Sequence, residues 1–359
     1  MSQKQPFAIK VGPDKEIPLS FHLNPEDFEP ASDSEKEELV TMRESVSFWS
    51  DGIRRFRKNK LAMASLVVVI FMMFFSFVLP RFYPYHYAQQ IRGSEGLAPF
   101  EYSETELAAK EAGEKVFPHV LGTDTLGRDI MARIMMGSSV SILVGLVASA
   151  IILIIGSTFG AIAGYFGGWV DIIMMRIVDI IYTVPDFLII ILLSVTLKHP
   201  LIALAEKPGF GWINRVGVGL ISIFIVFSLL YWVGMARIVR GQVLALKEQE
   251  YIAAARALGA SHSRIIRKHL LTNCIGTLIV TTTLQIPSSI FTESFLSFLG
   301  LGVSAPMPSL GSLAATALDG IYTYPYRLFA PAVTISIIIL AFNLLGDGLR
   351  DAFDPKLKS

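Results

Sequence analysis

The chain has 359 residues, 52% of them hydrophobic and 17% charged, and a mean hydropathy of +0.54. That balance is too apolar for a soluble domain of this length and fits a polytopic membrane protein. The net charge of +1 selects no partner, and a single cysteine, Cys274, excludes an intrachain disulfide framework.

Residues 1–47 are acidic and carry too few apolar groups to repay chain ordering, so they are expected as a mostly solvated cytosolic tail, with short helical pieces near Ser34–Ser47. No apolar leader follows Met1, and the first membrane span is expected to act as its own insertion signal.

A helix needs about 20 apolar residues to cross roughly 30 Å of hydrocarbon. Six stretches approach this, near 61–79, 138–163, 172–197, 216–235, 275–295 and 330–346, so the expected fold is an all-α membrane protein of six transmembrane helices. Pro185 should kink or break the third of them. Basic residues near the spans mark the cytosolic side. Arg54, Arg55, Arg57, Lys58 and Lys60 precede the first span, and Arg237, Arg240, Lys247, Arg256, Arg264, Arg267 and Lys268 fill the segment 237–274. With six spans, both termini, including a tail at 348–359, share that cytosolic side. The long segment 80–136 then lies outside and reads as a small subdomain with an acidic middle. Within it, Gly122-Thr-Asp-Thr-Leu-Gly-Arg-Asp129 reads as a helix-capping turn, with Thr123 or Asp124 bonding free amides; a contact with a partner chain is the alternative.

The run Glu250-Tyr-Ile-Ala-Ala-Ala-Arg-Ala-Leu-Gly259-Ala-Ser-His-Ser-Arg264 predicts a short helix, a glycine stop and a basic helix from Ser263 to Leu271. Tyr251, Ala254, Ala255 and Leu258 recur at helical spacing and form one small-to-apolar face. Gly259 suits a left-handed stop and Ser261 a cap. The pattern alone admits two readings, docking of a partner protein or an amphipathic helix lying on lipid headgroups.

The run Ala253-Ala-Ala-Arg-Ala-Leu-Gly259 resembles the EAA-type coupling loop of type I ATP-binding-cassette importer permeases. Three further segments resemble the C-type permease subunit of oligopeptide and dipeptide importers: His119-Val-Leu-Gly-Thr-Asp-Thr-Leu-Gly-Arg-Asp129, Gly164-Tyr-Phe-Gly-Gly-Trp-Val-Asp171, and Ser294-Phe-Leu-Ser-Phe-Leu-Gly-Leu-Gly302 with Pro306 and Pro308. The terminal Gly346-Asp-Gly-Leu-Arg-Asp-Ala-Phe-Asp-Pro355 also matches, so the likeness runs from about Phe48 to Pro355. Ala253 stands where the family's loop carries a glutamate, with Glu250 one turn earlier, and Thr272 where a proline is common.

The resemblance implies a cell-membrane protein of a prokaryote that pairs with a second permease around a substrate path. It implies two cytosolic ATPase subunits that bind ATP and Mg, an extracytoplasmic binding protein and a peptide cargo. The residues expected to engage the ATPase are Glu250, Tyr251, Ala253, Ala254, Ala255, Leu258 and Gly259. No phosphate-cradling Gly-x-x-x-x-Gly-Lys-Ser/Thr run occurs, which agrees with ATP being bound on partner chains and no cofactor in this one. No nucleic-acid partner is expected.

Charges inside spans usually face protein or water. Arg176 and Asp179, three apart, are expected as an ion pair on one helix face. Asp186 and Glu293 are candidates to line the path. An intramembrane enzyme is disfavoured, since the six histidines form no His-Glu-x-x-His pattern and no Gly-x-Ser-x-Gly elbow lies in a span. A proton-coupled carrier using Asp179, Asp186 and Glu293 is the stronger rival. Nickel complexes or glutathione are alternative cargoes, the former disfavoured by the lack of an in-span His/Cys/Met cluster. The acidic tail and long outer segment tilt the cargo toward oligopeptides.

Overall fold

The computed structural model describes residues 8–10, 16–18, 47–303 and 306–353. The expected helical pieces at 34–46 lie outside them. The chain divides into two units, Met1–Ser50 and Asp51–Ser359. In the first, β1 (Ala8–Lys10) pairs antiparallel with β2 (Glu16–Pro18), so the acidic segment is not wholly irregular. All other regular structure among the described residues is helical.

Helix α1 (Phe48–Lys58) ends in Arg55, Arg57 and Lys58, where cations complement the helix dipole. Asn59 then opens α2 (Lys60–Met73), its carboxamide oxygen accepting from the amides of Leu61 and Ala62 at 3.1 Å each. A π-helical turn and a 3₁₀ turn carry the first span on to Arg81. The long segment between the first and second spans holds α3 (Glu104–Glu111), opened by a capping box between Ser103 and Glu106.

Helix α4 (Ile130–Phe166) has 37 residues, about 55 Å at 1.5 Å per residue. It extends the expected span 138–163 at both ends and is the spine of the bundle. Gly167, at φ +65°, turns the chain into α5 (Gly168–Thr183). The third expected span, 172–197, is corrected here. Val184 is extended ahead of Pro185, because the proline ring disfavours the helical region for its predecessor, and a separate α6 (Asp186–Ala205) supplies the membrane-length helix.

A short α7 (Trp212–Val216) precedes α8 (Val218–Leu230) and α9 (Trp232–Leu246), which together form the fourth long element. The expected loop at 237–274 therefore begins as helix, and becomes a connection only at Lys247. After the elbow described below, α13 (Ile275–Phe298), α14 (Leu310–Ala317) and α15 (Tyr326–Phe353) complete the bundle. The last helix runs past the expected boundary at 347, leaving 354–359 outside the described residues. Six helices among the described residues are long and apolar enough to cross a membrane.

Interhelical association in lipid depends on close packing, which small residues permit. Gly156, Gly160 and Gly164 form one stripe of α4 against α9. A Cβ at Gly156 would sit 2.6 Å from the Met235 Cβ, and one at Gly160 would lie 3.0 Å from the Ala236 Cα and nearer still to its carbonyl oxygen. One at Gly164 would fall 3.0 Å from the Arg240 carbonyl oxygen. Around this seam a core forms from Val144, Ala148, Ile152, Ile223, Phe227, Val239 and Val243. A second core gathers α2, α4, α13, α14 and α15 around Ile142, Ile290, Leu310 and Ile338.

Candidate coupling site

After Lys247 the chain turns into α10 (Glu250–Ala257). Its C-terminus is a Schellman arrangement: the Gly259 amide donates to the Arg256 carbonyl at 2.9 Å and the Ala260 amide to the Ala255 carbonyl at 3.0 Å, with Gly259 at φ +79°. Ser261 then caps the next helical stretch through the Arg264 amide at 3.4 Å. That stretch comprises α11 (His262–Arg264), a π-helical segment Ile265–Leu270 and α12 (Leu271–Asn273), in place of a uniform α-helix from Ser263 to Leu271.

The elbow is held from below. Ile252 is fully buried with Ile265, Leu270 and Cys274, a position the expected apolar face did not contain. Asn273 Nδ2 donates to the Tyr251 hydroxyl at 3.1 Å, and His262 Nδ1 lies 2.8 Å from the Tyr165 hydroxyl at the end of α4. The Arg256 guanidinium stands over the Tyr165 ring at 5.4 Å. The opposite side is bare: Glu250, Ala253, Ala254, Ala257 and Gly259 are exposed, Tyr251 is 41% exposed and Leu258 is 88% exposed. Of the expected face, Tyr251, Ala254 and Leu258 are open, while Ala255 is half-buried and turns toward the bundle. An apolar residue so exposed at the tip of a rigidly anchored helix forms a knob able to enter a complementary cleft.

Beside the elbow, two ion pairs tie α5 to α9. Arg240 donates to both carboxylate oxygens of Asp171, at 2.5 and 2.6 Å. Arg237 donates to Asp179 at 2.9 Å and stacks over the Tyr182 ring at 4.2 Å. This corrects the expected Arg176–Asp179 pair. A pair within one helix is worth only about 0.2–0.5 kcal/mol, whereas Arg237 adds a cation–π contact from a neighbouring helix. Arg176 is exposed and forms no ion pair among the described residues.

Glu293 is likewise relocated. Instead of lining an open path it is fully buried, accepting from Ser141 Oγ and Ser297 Oγ at 2.7 Å each and from Ser294 Oγ at 3.3 Å. Ser297 Oγ in turn accepts from the Val303 amide at 3.1 Å, which links α4, α13 and the following loop. Asp186 is exposed at the first turn of α6.

At the other end, Asp129, and neither Thr123 nor Asp124, caps α4, accepting from the Ala132 amide at 2.7 Å. Thr123 accepts from the Leu97 amide at 2.9 Å and donates to the Ser94 carbonyl. Asp124 accepts from the amides of Leu126 and Arg128 and from the side chains of Arg128 and Arg133. Burial alone would raise its pKa, but these donors outweigh it and hold the carboxyl below its usual range. His119 is enclosed between Asp129 (Nδ1–Oδ2 2.8 Å) and Glu106 (Nε2–Oε1 3.0 Å) and stacks on Tyr85. Burial lowers its pKa, the two carboxylates raise it, and the net shift is upward.

Residues 156–359 match the family described as binding-protein-dependent transport system inner membrane component, and residues 47–109 match the N-terminal transmembrane domain of oligopeptide transport permease C. The oligopeptide transport system permease protein OppC of Bacillus subtilis (strain 168) is 42% identical over 331 residues, 92% of this chain and 97% of the relative. The dipeptide transport system permease protein DppC of the same organism is 40% identical over 357 residues, 99% and 97% of the two chains. The glutathione transport system permease protein GsiD of Pectobacterium atrosepticum is 33% identical over 311 residues, covering 87% and 92%. Among solved structures, inward-facing MetNI methionine ABC transporter is similar with a TM-score of 0.47 at 18% identity, over 63% of this chain and 98% of that one. The chain belongs to the family of inner membrane components of binding-protein-dependent transport systems, on the branch that contains the oligopeptide and dipeptide permeases.

Proposed function

We propose that this chain is one permease subunit of an ATP-driven peptide importer in a prokaryotic cell membrane. It forms the translocation path with a second permease, receives peptide from an extracytoplasmic binding protein, and is moved by two cytosolic subunits that bind and hydrolyse ATP with Mg. The chain itself is a non-catalytic subunit. Basic residues around the first span and the elbow support a cytosolic side for both termini and the elbow. Peptide is favoured as cargo because the relatives named for oligopeptide and dipeptide transport are 42% and 40% identical, against 33% for the one named for glutathione.

The observation that carries the reading is the elbow: Ile252 fixes α10 to the bundle while Leu258, 88% exposed, stands free at its tip. In the proposed cycle, closure of the ATPase pair on ATP pushes this knob. Because Ile252, Ile265 and the Tyr165–His262 bond join the elbow to α4, the push moves the bundle between its inward- and outward-open arrangements. The protein contributes a two-state packing, and the partners bias it.

Replacement of Leu258 with Arg or of Gly259 with Val in the reconstituted transporter tests this. Nothing crowds a side chain at Gly259, so the valine acts through backbone strain at φ +79° and tilts the stop. Peptide uptake should fall at least about tenfold, the effect of ~1.4 kcal/mol at a docking contact, while the ATPase subunits alone keep their turnover. Unchanged uptake and unchanged peptide-stimulated ATP hydrolysis in both variants would refute the proposal.

A further inference from the structure

A small recess lies where the start of α4, the end of α14 and the start of α15 meet, on the side of the external segment. Its cavity volume is about 40 Å³, and its walls include Asp124, Arg133, Thr316, Arg327, Leu313 and Pro331. One water needs roughly 10–15 Å³ by the same measure, so the space suits a small polyatomic ion.

Both arginines are more than nine-tenths buried, Arg133 at 7% and Arg327 at 8% exposure. Arg133 gives one terminal nitrogen to Asp124, but its Nε has no hydrogen-bond partner. Arg327 lies over the Tyr324 ring at 3.8 Å, while its Nε and Nη2 are buried without partners. Arg327 forms no ion pair among the described residues. Asp124 is already shared between Arg128 and Arg133, which leaves the cluster of three guanidinium groups and one carboxylate with a surplus of positive charge. Burying a charge without a counter-charge is strongly unfavourable, and a ring face compensates only a fraction of it. Guanidinium N–H pairs match oxyanions by two parallel hydrogen bonds.

We propose that the recess between Arg133 and Arg327 is an oxyanion site that takes a phosphate group, from a lipid headgroup at that face of the membrane or from solution. The unpartnered Nε–H of Arg133 and the Nε–H and Nη2–H of Arg327 donate to its oxygens, and Thr316 sits at the same wall. Filling the site joins α4 to α15 at the end where the external segment meets the bundle.

The test uses the full transporter, delipidated in detergent, with thermal denaturation as readout. One arm exchanges sodium chloride for inorganic phosphate at matched ionic strength, and the other adds phosphatidylglycerol. Wild type should gain about 2–4 °C or more in at least one arm. A gain from lipid alone assigns the headgroup, and a gain from both assigns any phosphate. R327M should lose the gain and, having no uncompensated charge, should match or exceed wild type without ligand. R92Q, which removes an exposed charge on the same segment, should keep the gain. If R327M does not assemble, R327K, which retains the charge but not the fork, should show at most half the wild-type gain. No gain for wild type in either arm, an equal gain in R327M or an undiminished gain in R327K, or a carboxylate of a companion subunit found seated between the two arginines would overturn the assignment.

Discussion

Replacing Gly160 with alanine perturbs the α4–α9 seam by a single methyl group. The new carbon would lie 3.0 Å from the Ala236 Cα and carbonyl carbon and closer still to its carbonyl oxygen, against an ordinary limit of 3.4 Å. These are backbone atoms, so no side chain can swing aside, and the helices must part by a large fraction of an ångström. A gap of about 0.5–1 Å already forfeits a quarter to a half of each dispersion contact, and overpacking of this kind costs about 1–3 kcal/mol. The strain is transmitted to Met235 and Val243, whose side chains already touch Gly156 and Gly164. Measured as the midpoint of thermal loss of the purified transporter, Gly160→Ala should fall by several degrees, at about 2–4 °C per kcal/mol. Gly234→Ala and Gly241→Ala on α9 have nothing within 4 Å of the added carbon, and alanine gains up to ~1 kcal/mol in helix propensity, so both should be neutral or raised. If Gly160→Ala is as stable as these controls, the close approach of α4 and α9 is wrong.

The His119 lock should be sensitive to alkali. Its native pKa is raised above the ordinary 6.5, so the stability it adds is full below that value and is lost as pH rises through the higher native value. Amide protection of residues 80–129, taken as the exchange rate relative to the intrinsic base-catalysed rate at each pH, should therefore fall as pH rises above about 6.5 in wild type and change much less in His119→Gln. Glu293→Ala should destabilise the protein by about 1–3 kcal/mol for each of Ser141 and Ser297 left without its acceptor, while Glu293→Gln keeps most of the melting temperature. For the two inter-helix pairs, Asp171→Asn should cost more than Asp179→Asn. The first carboxylate is 13% exposed and held by two bonds, the second 53% exposed and held by one, so a double-mutant cycle should give a larger coupling for Asp171–Arg240 than for Asp179–Arg237.

Much of the bundle was legible because membrane-length apolar runs need no tertiary information. The α2, α4, α13 and α15 spans follow directly from hydropathy. The third span was misplaced because the apolar run continues through Val184 and Pro185, while the backbone there must leave the helical region whatever its hydropathy. The elbow was legible through Gly259 and its alanines, but its anchor was not: in a helix of eight residues a single buried Ile252 has no periodic partner to mark it. The polar residues failed for a common reason. Glu293 is enclosed by Ser141, 152 positions away, and Asp179 is claimed by Arg237, 58 positions away, and neither separation leaves a local trace. The glycines at 156, 160 and 164 are a four-residue repeat visible in the sequence, and that signal could have fixed the α4–α9 seam beforehand.

In the proposed cycle force enters through the tip of α10, and cross-linking from that tip tests this most directly. In the assembled transporter, a cysteine replacing Leu258 should form a disulfide with a cysteine in the ATPase surface cleft, with a yield that changes when ATP binds. A cysteine replacing Tyr322, which is fully exposed in the turn before α15, at the opposite end of the bundle in the proposed topology, should form none. The buried Cys274 does not compete. A transporter that imports peptide normally while the residue at 258 stays open to aqueous maleimide and never reaches the ATPase would contradict the account.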